Sequence, residues 1–159
     1  MNSSPLISGS VGVAVVKDFT DEKVREIIAE LPIDTMQFHG SETEEFCQEY
    51  IQDAQIVKTI SMKSEESLGV LNNYSRMNHF LLDTYSKLGG GSGKTFNWDL
   101  AIKAKKYGHI ILAGGLNADN IKKAIENVQP YGVDISSGVE ESPGKKDHNK
   151  LKQFFKQAR

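Results

Sequence analysis

Six short apolar runs recur along this chain at nearly even spacing, and that period constrains the fold more than any other feature of the sequence. The runs are VGVAVV (11–16), DTMQF (34–38), QIVKTI (55–60), HFLLD (79–83), HIILAG (109–114) and GVDIS (132–136). They lie about 23 residues apart, with one gap of about 30 before HIILAG. Several are apolar throughout, as parallel strands buried on both faces are. Between them, apolar residues fall at helical spacing: Val24, Ile27, Ile28 and Leu31; Ile121, Ala124, Ile125 and Val128; Leu151, Phe154, Phe155 and Ala158. The segment NWDLAIKAKKY (97–107) reads as a further helix, opened by Asn97 or Asp99 and ending in lysines that suit the negative end of the macrodipole. Asn117 or Asp119 can cap the helix at 121–128, and Asp147 the last one. A (βα)6 alternation implies a parallel sheet with right-handed crossovers. It fits an open doubly wound sheet or part of a β/α barrel, and both place their sites just past the strand ends.

A chain of 159 residues is long enough for one domain with a sizeable core. Residues 1–10, MNSSPLISGS, are unpatterned and expected to be poorly ordered; the βα pattern occupies 11–159. The net charge of −2 gives no electrostatic footprint for nucleic acid or an anionic membrane. No apolar run approaches a membrane span, and the N-terminus has neither the basic nor the apolar region of a secretory signal. Cys47 is the single cysteine, so no intrachain disulfide can form and the cytoplasm is the default location.

The stretch LGGGSGKTF (88–96) imitates a nucleotide-binding P-loop. The first glycine of that motif is replaced by Leu88, and Phe96, Asn97 and Trp98 delay the helix that should open at Gly-Lys-Thr. The stretch reads instead as a glycine-hinged loop over a site, or as a plain linker turn. Lys94 and Thr95 then carry no expectation of phosphate or magnesium. Asp83 ends an apolar strand, where a carboxylate can serve as a general acid or base, or simply form a turn. LAGGLN (112–117) ends a strand in two glycines before a helix, and DISSGVE (134–140) repeats the idea one unit later with Ser136, Ser137 and Gly138. Bare amides in such turns bind phosphate. Two of them in succession favour a barrel whose last two strands carry the phosphate, against the alternative of two ordinary βα turns. MQFHG (36–40) puts Gln37 and His39 at another strand end, where a lone histidine is more often structural. Cys47 falls within a helix, EEFCQEY, and reads as a packing residue. No histidine, cysteine or carboxylate set has metal-ligand spacing, so no metal is expected.

These motifs together resemble the phosphoribosylanthranilate isomerase family. MQFHGSE is similar to its Q-L-H-G-x-E, and LLDTYSKLGGGSGKTFNW to its L-L-D-…-G-G-T-G-x-x-F-D-W. ILAGGLNADNIKKAI resembles I-L-A-G-G-L-x-P-x-N-V-x-x-A-I, and PYGVDISSGVEESPGKKD resembles P-x-G-V-D-V-S-S-G-V-E-x-x-x-G-x-K-D. The resemblance covers about residues 11–158, in order. It implies a (βα)8 barrel and a cofactor-free Amadori rearrangement of a small phosphorylated substrate in tryptophan biosynthesis. It implies Asp83 as the general acid. Gln37, His39, Gly90, Gly91 and Gly93 would line the substrate. Gly114, Gly115, Leu116 and Asn117, with Ser136, Ser137 and Gly138, would hold the phosphate.

The chain also departs from the family. The family's base is a cysteine in K-[IV]-C-G on the first strand, and no such motif occurs here. SVGVAVV matches the family's third strand, so six βα units are expected, corresponding to family units 3–8, with the first two missing. An arginine in S-P-R, expected on the anthranilate carboxylate, is missing with them. Six units cannot close an eight-stranded barrel, so an incomplete or distorted barrel is expected. Its apolar edges on VGVAVV and GVDIS would favour self-association. The other function the residues allow is a non-catalytic phosphate-binding remnant, or a subunit whose base comes from a partner.

Overall fold

The computed structural model describes residues 10–85 and 95–159. The chain divides into two compact units, Met1–Thr59 and Ile60–Arg159.

In the first unit the elements are β1 (Val13–Val16), α1 (Asp21–Glu30), β2 (Thr35–Phe38), α2 (Glu44–Gln48) and the start of β3 (Gln55–Met62). β2 lies parallel to β1, with Val13 opposite Thr35 and Val16 opposite Phe38. β3 lies parallel to β2, with Thr35 opposite Gln55 and Phe38 opposite Lys58. The Thr20 hydroxyl accepts from the Lys23 amide to start α1, and Asp21 and Glu22 sit in its first turn, where the helix dipole favours them. Thr43 starts α2 in the same way, accepting from Phe46. Phe46 then meets Phe38 and Tyr50 edge-on, with ring centres 5.8 and 5.4 Å away. Phe38 and Tyr50 are fully buried, and the Tyr50 hydroxyl donates to Asp21 at 2.6 Å. Cys47 lies on the buried side of α2, and burial pushes its thiol up to about 12. At neutral pH it is a protonated packing residue. On β1, Val16 is buried while Val13 and Val15 stay half exposed, at 48% and 59%.

The second unit holds α3 (Ser67–Val70), β4 (His79–Thr84), α4 (Trp98–Ala104), β5 (His109–Leu112), α5 (Ile121–Val128), β6 (Gly132–Val133), β7 (Glu140–Ser142), β8 (Lys145–Lys146) and α6 (His148–Gln157). β4, β5 and β6 pair in parallel, and β7 and β8 form a small antiparallel hairpin. Leu82, Leu112, Ile121, Ala124 and Phe154 are buried between the strands and the helices. The cap of α4 falls on Asn97, whereas the cap position of α5 is Asn120, neither Asn117 nor Asp119, and makes no side-chain cap hydrogen bond. Asn97 accepts from the Asp99 amide. Asn117 accepts from the amides of Asp119 and Asn120, and its carbonyl takes the first amide of α5. Asp147 accepts from Asn149 and Lys150, which holds its carboxyl below the usual range.

Several boundaries differ from the sequence reading: VGVAVV pairs only from Val13, QIVKTI runs on to Met62, and three more differ for a local reason. HIILAG pairs only as far as Leu112, because Gly114 and Gly115 turn the chain away with φ of 80° and 68°. GVDIS pairs only at Gly132 and Val133, since its neighbour has left; one further bond joins the Asp134 amide to Leu112. The helix at 97–107 becomes 3-10 over Lys105–Tyr107, ahead of Gly108. No helix among the described residues is long and apolar enough to cross a membrane.

At the N-terminal ends of β4 and β5 the rings of His79 and His109 lie 5.0 Å apart, and Tyr131 contacts both. Burial, then the neighbouring His109, lowers the His79 pKa below 6.5. The unfolded chain therefore takes up this proton first as pH falls. The stabilisation is complete above 6.5 and is lost as pH drops through the lower folded value. Melting temperatures measured from about pH 7 to 5 should fall less steeply in His79→Gln than in the wild type. Equal slopes would contradict this.

Candidate functional site

Asp83 is the penultimate residue of β4 and is half buried. The chain beside it is Gly114, and the contact needs a glycine. A Cβ there would collide with the Thr84 hydroxyl and lie 2.5 Å from the Thr84 amide and 2.9 Å from Asp83 Oδ1. The φ of 80° is also one that side chains disfavour. One unit on, a Cβ on Gly138 would collide with the Leu116 carbonyl oxygen. The turn after β5 thus nests between the end of β4 and the turn after β6.

These three strand ends enclose a pocket of about 80 Å³. Asp83, Thr84, Gly114, Gly115 and Leu116 line it on one side, and Asp134, Ile135, Ser136, Ser137 and Gly138 on the other. The amides of Gly115 and Ser137 donate to no acceptor among the described residues. The Thr84 hydroxyl is likewise buried with no hydrogen-bond partner there. Such donors around a small polar cavity suit an anion, and Asp83 beside them can exchange a proton with the same ligand.

Asn117 is outside the pocket lining. Its side chain shapes the turn, with the amide donating to Gly115 O at 3.4 Å. Asn120 does more of this work: Nδ2 donates to Gly115 O at 2.9 Å, and Oδ1 accepts from the Asn117 amide at 2.9 Å. The serine turn is not the start of a long helix. It is a 3-10 turn over Ser137–Val139, held from behind by the β7–β8 hairpin. Lys146 Nζ donates to Ser136 O at 3.0 Å and to Glu140 at 2.7 Å. The Lys146 hydrogen bond holds the Glu140 carboxyl below its usual range. Asn120, Asp134 and Lys146 were not singled out in the sequence. Only the S-P-G turn before Lys145 hints at the hairpin.

Gln37 and His39 belong to the first unit. Gln37 is buried, and its amide nitrogen donates to Thr59 Oγ1 at 3.3 Å and lies 3.2 Å from His39 Nδ1. An amide NH2 donates and does not accept. Nδ1 is therefore the acceptor, and the neutral ring carries its proton on Nε2. Gly90, Gly91 and Gly93 lie outside the described residues.

The family model for N-(5'phosphoribosyl)anthranilate (PRA) isomerase matches residues 3–157. A relative from Geotalea uraniireducens (strain Rf4), named N-(5'-phosphoribosyl)anthranilate isomerase, is 49% identical over 128 residues. The match takes in 80% of this chain and 62% of the relative, so the chain spans less than two thirds of that relative's length. The crystal structure of phosphoribosyl anthranilate isomerase from Thermotoga maritima superposes with a TM-score of 0.88 at 34% identity, covering 96% of this chain and 75% of that one. Another, solved in complex with reduced 1-(o-carboxyphenylamino)-1-deoxyribulose 5-phosphate, superposes with a TM-score of 0.84 at 32% identity, covering 96% and 73%. The fold is accordingly α/β, of the (βα)8-barrel class. Matched over nearly its whole length, the chain belongs to the N-(5'-phosphoribosyl)anthranilate isomerase family.

Proposed function

We propose that this chain takes part in the isomerisation of N-(5-phosphoribosyl)anthranilate to 1-(2-carboxyphenylamino)-1-deoxyribulose 5-phosphate, a step of tryptophan biosynthesis, in the cytoplasm. One observation carries the reading: a single pocket joins the Asp83 strand end to the glycine turn at 114–116 and the serine-glycine turn at 136–138. The amides of Gly115 and Ser137 receive the substrate phosphate. Asp83, as the acid, protonates the ribose ring oxygen. The C1–O bond then breaks as the anthranilate nitrogen forms a Schiff base. A base must next take the C2 proton, and no residue of this chain is assigned that role.

A second reading, phosphate binding without turnover, is favoured by the cysteine. This sequence holds one, Cys47, and it is buried within α2 as a thiol. Amide exchange with and without inorganic phosphate, set beside turnover assays, separates the two. Phosphate should slow exchange at Gly115 and Ser137 in both the wild type and Asp83→Asn. Turnover should fall about 10²–10⁴-fold in Asp83→Asn. Unchanged turnover would remove Asp83 as the acid. Protection in a wild type that does not turn over would select the second reading, and absence of protection would exclude both.

A further inference from the structure

A lysine in the middle of an apolar strand is costly unless something holds its charge. Lys58 lies on β3 with its side chain 1% exposed, and Glu42 faces it at 2.9 Å with its own side chain 3% exposed. Neither has a part in the chemistry above. Four further bonds of the pair run to the backbone around His39 and to Asp18. Lys58 Nζ donates to Gly40 O at 2.7 Å and to Phe38 O at 3.4 Å, the carbonyls on either side of His39. Glu42 Oε2 accepts from the Gly40 amide at 2.9 Å, and Oε1 from the Asp18 amide at 2.7 Å. Asp18, just past β1 with φ of 54°, accepts from both the amide and the hydroxyl of Ser41 at 2.6 Å. A Cβ on Gly40 would collide with the Asp18 carboxylate. The chain on both sides of His39 is therefore tied to buried charge and to the neighbouring loop.

We propose that Lys58 and Glu42 are positioning residues for His39: they fix the backbone on either side of it so that Gln37 can hold the ring in its Nε2–H form. A chain needing only a stable core would gain as much from apolar residues at 42 and 58. An ion pair that satisfies the backbone at residues 38 and 40 instead specifies one geometry for that turn. The consequence for catalysis rests on the proposed reading of His39 as a substrate contact; the ring geometry does not.

The test reads the ring directly, without substrate. In the chain labelled with 15N-histidine, long-range 1H–15N correlations should show His39 as a single tautomer, with His39→Gln supplying the assignment. The double variant Lys58→Met/Glu42→Gln leaves no orphan charge, so it should fold, as far-UV circular dichroism would show. In it the His39 ring should lose the single-tautomer signature and report both forms. An unchanged ring in the folded double variant overturns the proposal. Asp18→Gly, which keeps a residue tolerant of that φ but removes the carboxylate, should also disturb the ring. If the double variant does not fold and Asp18→Gly leaves the ring unchanged, the proposal is equally overturned. Failure of the isomerase reading would appear only in turnover, so the two can be told apart.

Discussion

Lys58→Met should destabilise the chain by about 3–5 kcal/mol, because it strands the partner carboxylate. The Glu42 side chain is 3% exposed, and its Oε2 would lose the ammonium 2.9 Å away. The carbonyls of Phe38 and Gly40 would lose a donor as well. The pH dependence should change sign. In the wild type, burial alone would raise the Glu42 pKa, but the Lys58 and Asp18 hydrogen bonds overcome it and hold the carboxyl below 4.5. The resulting stability is complete above 4.5 and is lost as pH falls through the lower folded value. Without Lys58 the burial penalty dominates, and the folded pKa rises above the unfolded one. The variant should then lose stability as pH rises, and acidification should narrow its deficit. Urea titrations of both proteins at about pH 5 and 7 measure this. A loss under about 1 kcal/mol at pH 7 would mean that the pair is solvated like a surface ion pair.

That pair also marks the limit of what the sequence discloses. The period of the six apolar runs locates β1 to β6, because strand burial and helical spacing are local patterns. The turns at 114–117 and 136–138 stand out for the same reason: glycine and serine after a strand have a local physical meaning. Partnership does not. Lys58 lies in QIVKTI like any strand residue, and its partner is 16 positions away. Glu42 reaches back 24 residues to Asp18. Nothing in the GVDIS pattern announces that Asp134 will line the same pocket as Asp83, since β6 stops pairing only where its neighbour turns off at Gly114. The short α3 leaves no mark in the sequence, being one turn long and lacking an apolar repeat. The sequence thus shows which segments end at a site, and the structure shows what braces them.

The turn after β6 supplies the second large effect. Gly138→Ala should weaken inorganic phosphate binding about 10–100-fold, the loss expected when one or so charge-assisted hydrogen bond is misaligned. The new methyl would collide with the Leu116 carbonyl oxygen and lie 2.9 Å from the carbonyl carbon and 3.1 Å from the Asn117 Cβ. Two of these three neighbours are backbone, so no side-chain rotation relieves the contact. The 114–117 turn must move outward, and the Gly115 amide moves with it. The overpacking itself should cost about 1–3 kcal/mol of stability. Gly144→Ala is the control. Gly144 has φ of 80°, so alanine is strained there, yet nothing lies within 4 Å of the added methyl. That variant should lose about 1–2 kcal/mol and bind phosphate like the wild type. Amide chemical-shift titrations with phosphate on the three proteins separate crowding at the pocket from backbone strain. Equal affinity in Gly138→Ala and the wild type would show that the nesting of the two turns does not shape the anion site, and the assignment of Gly115 and Ser137 as its donors would fall with it.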